Sequence, residues 1–134
     1  MLPESKTILL GEDDHDDQEM LVEIFTDIDN SFNLIFVNNG EQVIKTLDAM
    51  SERDLPCLIV LDFNMPGLNG AEILGELKKN ERYNRIPKVI WSTSDSDTYR
   101  ILCLKSGATE YMTKASNLKD LETSIRRMLS FCST

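Results

Sequence analysis

Short apolar runs alternate with longer amphipathic stretches along this chain, and that alternation limits the fold more than any other feature. The runs are Ile8-Leu9-Leu10, Leu34-Ile35-Phe36-Val37, Leu58-Ile59-Val60-Leu61, Val89-Ile90-Trp91 and the weaker Thr109-Glu110-Tyr111-Met112. Each is short and bounded by Gly, Pro, Asn or Asp, so each reads as a strand, the first and third buried on both faces. Between them lie helical patterns. Leu21, Ile24, Phe25 and Ile28 fall at i, i+3, i+4 and i+7 and predict a helix over residues 15–29. Leu118, Leu121, Ile125, Met128 and Leu129 repeat the pattern near the C-terminus. Helix starts are marked by capping-box pairs: Asn39 with Gln42, Asn69 with Glu72, Ser94 with Asp97 and Asn117 with Asp120. Strand then helix, five times over, predicts an α/β protein: a doubly wound, five-stranded parallel sheet covered by helices on both faces.

Composition narrows what such a sheet can serve. A length of 134 residues is one domain, 1–134, with no room for an effector domain. No run reaches the ~18–20 apolar residues of a membrane span, and MLPESK has no charged region followed by an apolar one, which argues against export and insertion. Asp and Glu number 23 against 14 Lys and Arg, and the net charge of −9 repels a phosphate backbone, so direct nucleic-acid binding is not expected. Cys57, Cys103 and Cys132 lie far apart, odd in number and without a CxxC. No disulfide and no zinc site is expected from them, and a reducing cytoplasm is the expected location.

Ligands of such sheets collect at the carboxyl ends of the strands. After the first run stands Gly11-Glu12-Asp13-Asp14-His15-Asp16-Asp17, and the third ends in Leu61-Asp62-Phe63-Asn64-Met65-Pro66-Gly67. Ser92-Thr93-Ser94 follows the fourth and Thr113-Lys114-Ala115 the fifth. Taken singly these are ordinary. Acids after a strand suit a helix N-terminus, the run lacks the Asp-x-Asp-x-Asp-Gly spacing of a Ca²⁺ loop, and Met-Pro-Gly is turn chemistry. His15 is the sole histidine and reads as a surface residue; Ser92 has no GxSxG around it; Gly67 and Gly70 form no phosphate loop. Their conjunction at strand ends is what points to chemistry. Glu12, Asp13 and Asp62 brought together would repel, and one would hold a proton unless a cation intervened. Oxygen-only ligands favour Mg²⁺, while an amine (Lys114) and a hydroxyl (Ser92) suit phosphate oxygens. The set describes phosphoryl transfer to a carboxylate nucleophile.

Over essentially its whole length the chain resembles the receiver domain of two-component response regulators. The carriers are the acid pair Glu12-Asp13, the motif Leu61-Asp62-x-x-Met65-Pro66-x-x-x-Gly70, Ser92 thirty positions after Asp62, and Ser106-Gly107-Ala108-Thr109-Glu110-Tyr111-Met112-Thr113-Lys114. The resemblance implies a CheY-like (flavodoxin-like) sheet of strand order 2-1-3-4-5. It implies that Asp62 accepts the phosphoryl group from a histidine kinase, with Mg²⁺ on Glu12, Asp13, Asp62 and the backbone carbonyl of Asn64. Ser92 is then the switch hydroxyl, Lys114 the phosphate partner, and Tyr111 the switch aromatic that turns into space left by the loop. Asn64 and Ser94 flank the path of the hydrolytic water. The output is a change in the surface of the fourth helix, fifth strand and fifth helix, read by a separate protein or by a homodimer. Such a chain is a signalling phosphoacceptor and not an enzyme acting on other substrates.

Two departures from the family pattern stand out. Ala115 replaces the usual proline after the lysine, where a cis bond before a non-proline costs about 2.5–4 kcal/mol, so that loop is free to take another course. The Ser92-Thr93-Ser94 run and the missing proline resemble small regulators that serve phytochrome-type kinases. Two other readings are weaker. A phosphorylation-independent binding module would not need an intact acid pair, Asp62 and Lys114. A haloacid-dehalogenase-like phosphatase requires Asp where Asn64 stands, and a cap for which there is little room.

Overall fold

The computed structural model describes residues 6–132. Five parallel strands form one sheet in the order β2-β1-β3-β4-β5: β1 Thr7–Gly11, β2 Asn33–Val37, β3 Leu58–Asp62, β4 Lys88–Ser92 and β5 Glu110–Thr113. The helices are α1 His15–Ile28, α2 Gly40–Asp48, α3 Gly70–Lys78, α4 Asp97–Ser106 and α5 Leu118–Ser130. β5 thus begins one residue later than its apolar run, and β4 is as fully buried as β3.

Alternation along each strand divides the core in two. Leu9, Ile59, Leu61, Ile90 and Tyr111 face α2, α3 and α4, where Val43, Leu47, Ile73, Leu77 and Cys103 meet them. Ile8, Leu10, Val60, Trp91 and Met112 face α1 and α5, meeting Leu21, Phe25, Leu121, Ile125 and Met128. Burying one such side chain contributes roughly 1.5–3 kcal/mol. Continuous apolar strands are needed because both faces are covered.

Helix starts follow the capping residues at Asn39, Asn69 and Asn117, whose side chains accept from the backbone N–H of Gln42, Glu72 and Asp120. The reciprocal half of the box forms at Glu72. At α4 the expected cap is displaced: Ser96, not Ser94, caps the helix by accepting from the Tyr99 N–H. Ser94 is held in the preceding turn, its hydroxyl accepting from the N–H of Ser96. Gly67 completes the Met-Pro-Gly turn at φ +83°, a conformation that side chains disfavour. No described peptide bond is cis, so Ala115 follows Lys114 through a trans bond.

The cysteine expectation is overturned. Cys57, just before β3, and Cys132, just after α5, form a disulfide with Cα atoms 5.1 Å apart, bridging a sequence separation of 75. The parallel crossover brings the end of α5 back to the amino ends of the strands, a closeness that spacing along the chain does not reveal. Cys103 is free and buried.

Candidate functional site

The strand order reverses at β1, opening a crevice between the carboxyl ends of β1 and β3. Register does the rest. Gly11 pairs with Leu61, so Glu12 and Asp62 emerge side by side. Asp62 pairs with Trp91 and Ser92 with Thr113, which sets Lys114 beside them. By alternation Glu12, Asp62, Trp91 and Lys114 share the α1–α5 side of the sheet, whereas Ser92 and Tyr111 belong to the α3–α4 side.

A carboxylate oxygen from each of Glu12, Asp13 and Asp62 lies within 4.8 Å of the others. Glu12 and Asp62 are buried and Asp13 is exposed. Asp62 Oδ1 accepts the N–H of Asn64 at 3.1 Å, and its Oδ2 accepts from Lys114 Nζ at 3.1 Å. Glu12 Oε1 accepts from the same ammonium at 3.0 Å and Oε2 accepts the N–H of Asp14. Lys114 Nζ sits 4.7 Å from the centre of the Trp91 ring. Burial pushes the Glu12 carboxyl up to about 7 despite its bond to Lys114. Burial would lower the Lys114 ammonium, but hydrogen bonds to Asp17 and Glu12 and the charge of Asp62 hold it above the usual lysine value. One ammonium thus faces three clustered carboxylates and touches two of them, and an all-oxygen donor set of this kind fits a hard divalent cation.

The residues expected to form the switch lie on the other side. Ser92 is fully buried, with its hydroxyl accepting the Ser94 N–H at 3.1 Å. The Tyr111 ring lies inside, 3% exposed, and its hydroxyl donates to the Ser94 carbonyl at 2.6 Å. Arg100 covers the ring at 5.0 Å and donates to the Tyr111 carbonyl. In this arrangement the phenol's one polar atom has its partner within the fold. The Asn64 side chain is exposed, and Ser94 is half-buried in its turn. His15 is exposed at the start of α1, as expected.

Two contacts escaped the sequence. Asp17, in the first turn of α1, accepts from Lys114 Nζ at 2.9 Å across 97 residues. It belongs to the acid run already singled out, and its place one turn into the helix was the available signal. Phe63, next to Asp62, stacks on Tyr99 of α4 with ring centres 4.6 Å apart.

Residues 8–126 match the response regulator receiver domain family. Response regulator Rcp1 of Synechocystis sp. is 33% identical over 129 residues, covering 94% of this chain and 88% of that protein. The Mn²⁺-bound form of Rcp1 superposes with a TM-score of 0.81 at 32% identity, covering 96% of this chain and 94% of that one. The phosphorylated cyanobacterial phytochrome response regulator RcpA gives 0.84 at 28% identity, covering 95% and 93%. A response regulator in red light signalling of R. palustris gives 0.83 at 28%, covering 93% and 92%.

Proposed function

The chain belongs to the response regulator receiver family and is a phosphoacceptor of two-component signalling; from that premise we propose that Asp62 is the residue phosphorylated, with Mg²⁺ as the metal. One observation carries the reading: a buried aspartate ends β3 with an ammonium 3.1 Å away and two further carboxylates beside it.

Asp62 attacks the phosphorus of a kinase phosphohistidine in line, and the imidazole leaves. Lys114 donates to an oxygen of the transferred group, and Ser92 donates to another once its loop closes. Glu12, Asp13, Asp62 and the Asn64 carbonyl would hold Mg²⁺, which would supply neutralising charge to the phosphoryl oxygens. The protein's own part is positioning and preset electrostatics. Hydrolysis needs a water path, and the exposed, polar Asn64 leaves one open. With Tyr111 already buried, the switch is a shift in population between two arrangements of the 92–96 turn, transmitted through Tyr111 and Phe63–Tyr99 to α4. That helix exposes Ile101, Leu102 and Leu104. The α4–β5–α5 surface then meets a separate protein or a second copy of the chain.

The kinase is of phytochrome type, a reading supported by the likeness to RcpA and the red-light regulator. Intact-mass measurement after acetyl phosphate and MgCl₂ tests the core of this proposal. One added phosphate is expected in wild type and none in Asp62→Asn; a mutant that labels fully would refute the assignment.

A further inference from the structure

Lys114 is the centre of a tripod. Its ammonium has three N–H donors, and all three are used: Glu12 Oε1 at 3.0 Å, Asp17 Oδ2 at 2.9 Å and Asp62 Oδ2 at 3.1 Å. Its side chain is 12% exposed, so little water is at hand to replace any of them. Two of these acceptors, Glu12 and Asp62, also belong to the carboxylate cluster that fits a divalent cation, whereas Asp17 does not. Ammonium and cation therefore compete for the same two carboxylates, and they repel each other as well.

We propose that Asp17 is a positioning residue that draws the Lys114 ammonium away from Glu12 and Asp62, so that a divalent cation can claim them. The inference rests on the metal-dependent phosphoacceptor reading above and adds a residue to it. Asp17 is well placed for the task. It lies in the first turn of α1, where the helix dipole favours a carboxylate, and its N–H is anchored on the Asp14 side chain at 3.0 Å. The fixed backbone holds its carboxylate beyond the cation cluster but within reach of Lys114. Without it, the ammonium has only the two metal-binding carboxylates to return to. Both consequences of its loss, one fewer negative charge and a lysine pressed onto the ligands, act in the same direction.

The test is Mg²⁺ binding to the full chain by titration calorimetry, with Trp91 emission as a second reading because Lys114 lies over that ring. Asp17→Asn is expected to raise the Kd for Mg²⁺ about ten-fold, a change worth ~1.4 kcal/mol. Asp17→Glu should recover it to within about three-fold. Asp16→Asn removes the neighbouring, exposed charge of the same helical turn and should stay within about two-fold. Should Asp17→Asn fold poorly by circular dichroism, Asp17→Ser takes its place. An unchanged Kd in the Asp17 variants overturns the proposal, as does equal weakening by Asp16→Asn, which would reduce the effect to bulk charge. Phosphate loading of wild type is scored separately: a wild type that binds Mg²⁺ but never gains phosphate defeats the phosphoacceptor assignment and leaves the Asp17 comparison standing.

Discussion

Two lysines, Lys88 buried and Lys114 half-buried, sit at opposite ends of the same sheet and live in opposite electrostatic surroundings. Lys88 opens β4, and its ammonium donates to the carbonyls of Tyr83 at 2.6 Å and Ile86 at 2.9 Å, with no carboxylate partner among the described residues. Burial lowers its pKa. Lys114 follows β5, holds three carboxylates and titrates above the usual lysine range. At the amino end of the sheet Lys88 is satisfied by backbone carbonyls, and Glu110 is paired with Arg127. The carboxyl end gathers more negative charge than one lysine can balance. The imbalance costs stability and creates affinity for a cation.

Removing the hub of the charged end should have the largest effect. Lys114→Met leaves three carboxylates without their cation, and breaking a buried pair costs about 3–5 kcal/mol. Urea unfolding at pH 8 without divalent ions should show that loss; a variant as stable as wild type would mean that the carboxylates do not need the lysine. At the other end, reducing Cys57–Cys132 should cost about 2–4 kcal/mol, because it frees a long loop in the unfolded chain. Loading of Asp62 by acetyl phosphate should not change, and a slower rate after reduction would mean that the two ends are coupled.

Glu12→Gln should stabilise the metal-free protein at pH 8 by roughly 3 kcal/mol, the worth of a carboxyl displaced from 4.5 to about 7. The sign follows from proton uptake: between pH 4.5 and 7 the folded state binds more protons at this site than the unfolded state, so wild-type stability falls as pH rises through that window. Below pH 4.5 the two proteins should unfold at the same urea concentration. A constant difference at all pH values would remove Glu12 as the titrating group.

The smallest effect belongs to Lys88. Lys88→Met trades two hydrogen bonds for the removal of a buried charge and should change stability by less than about 1 kcal/mol. Its lowered pKa also gives the two lysines opposite pH signatures. The contribution of Lys88 rises as the solution approaches pH 10.5, whereas that of Lys114 is lost only above it. Matching alkaline profiles for the two Met variants would erase the contrast.

Much of this molecule is determined by local pattern. Short continuous apolar runs separated by amphipathic helices leave few options beyond a covered parallel sheet, and Glu12, Asp62, Ser92 and Lys114 are legible because each ends a strand or directly follows one. Three Asn caps are legible too, since capping is settled within one helical turn. The Ser94 cap was misplaced because Ser96 offers the same chemistry two residues later, and the turn tied to Tyr111 decides between them. Asp17 on Lys114 and Cys57 on Cys132 could not be read, for the partners are 97 and 75 residues apart. Their meeting depends on the rotational phase of α1 and on the length and path of α5, which packing against the sheet sets. The orientation of Tyr111 is likewise a tertiary outcome, decided by whether its hydroxyl finds an acceptor inside, and the Ser94 carbonyl provides one. Local sequence thus determined the elements and the residues at their ends; which side chain faces which across the crevice was decided only when the helices packed onto the sheet.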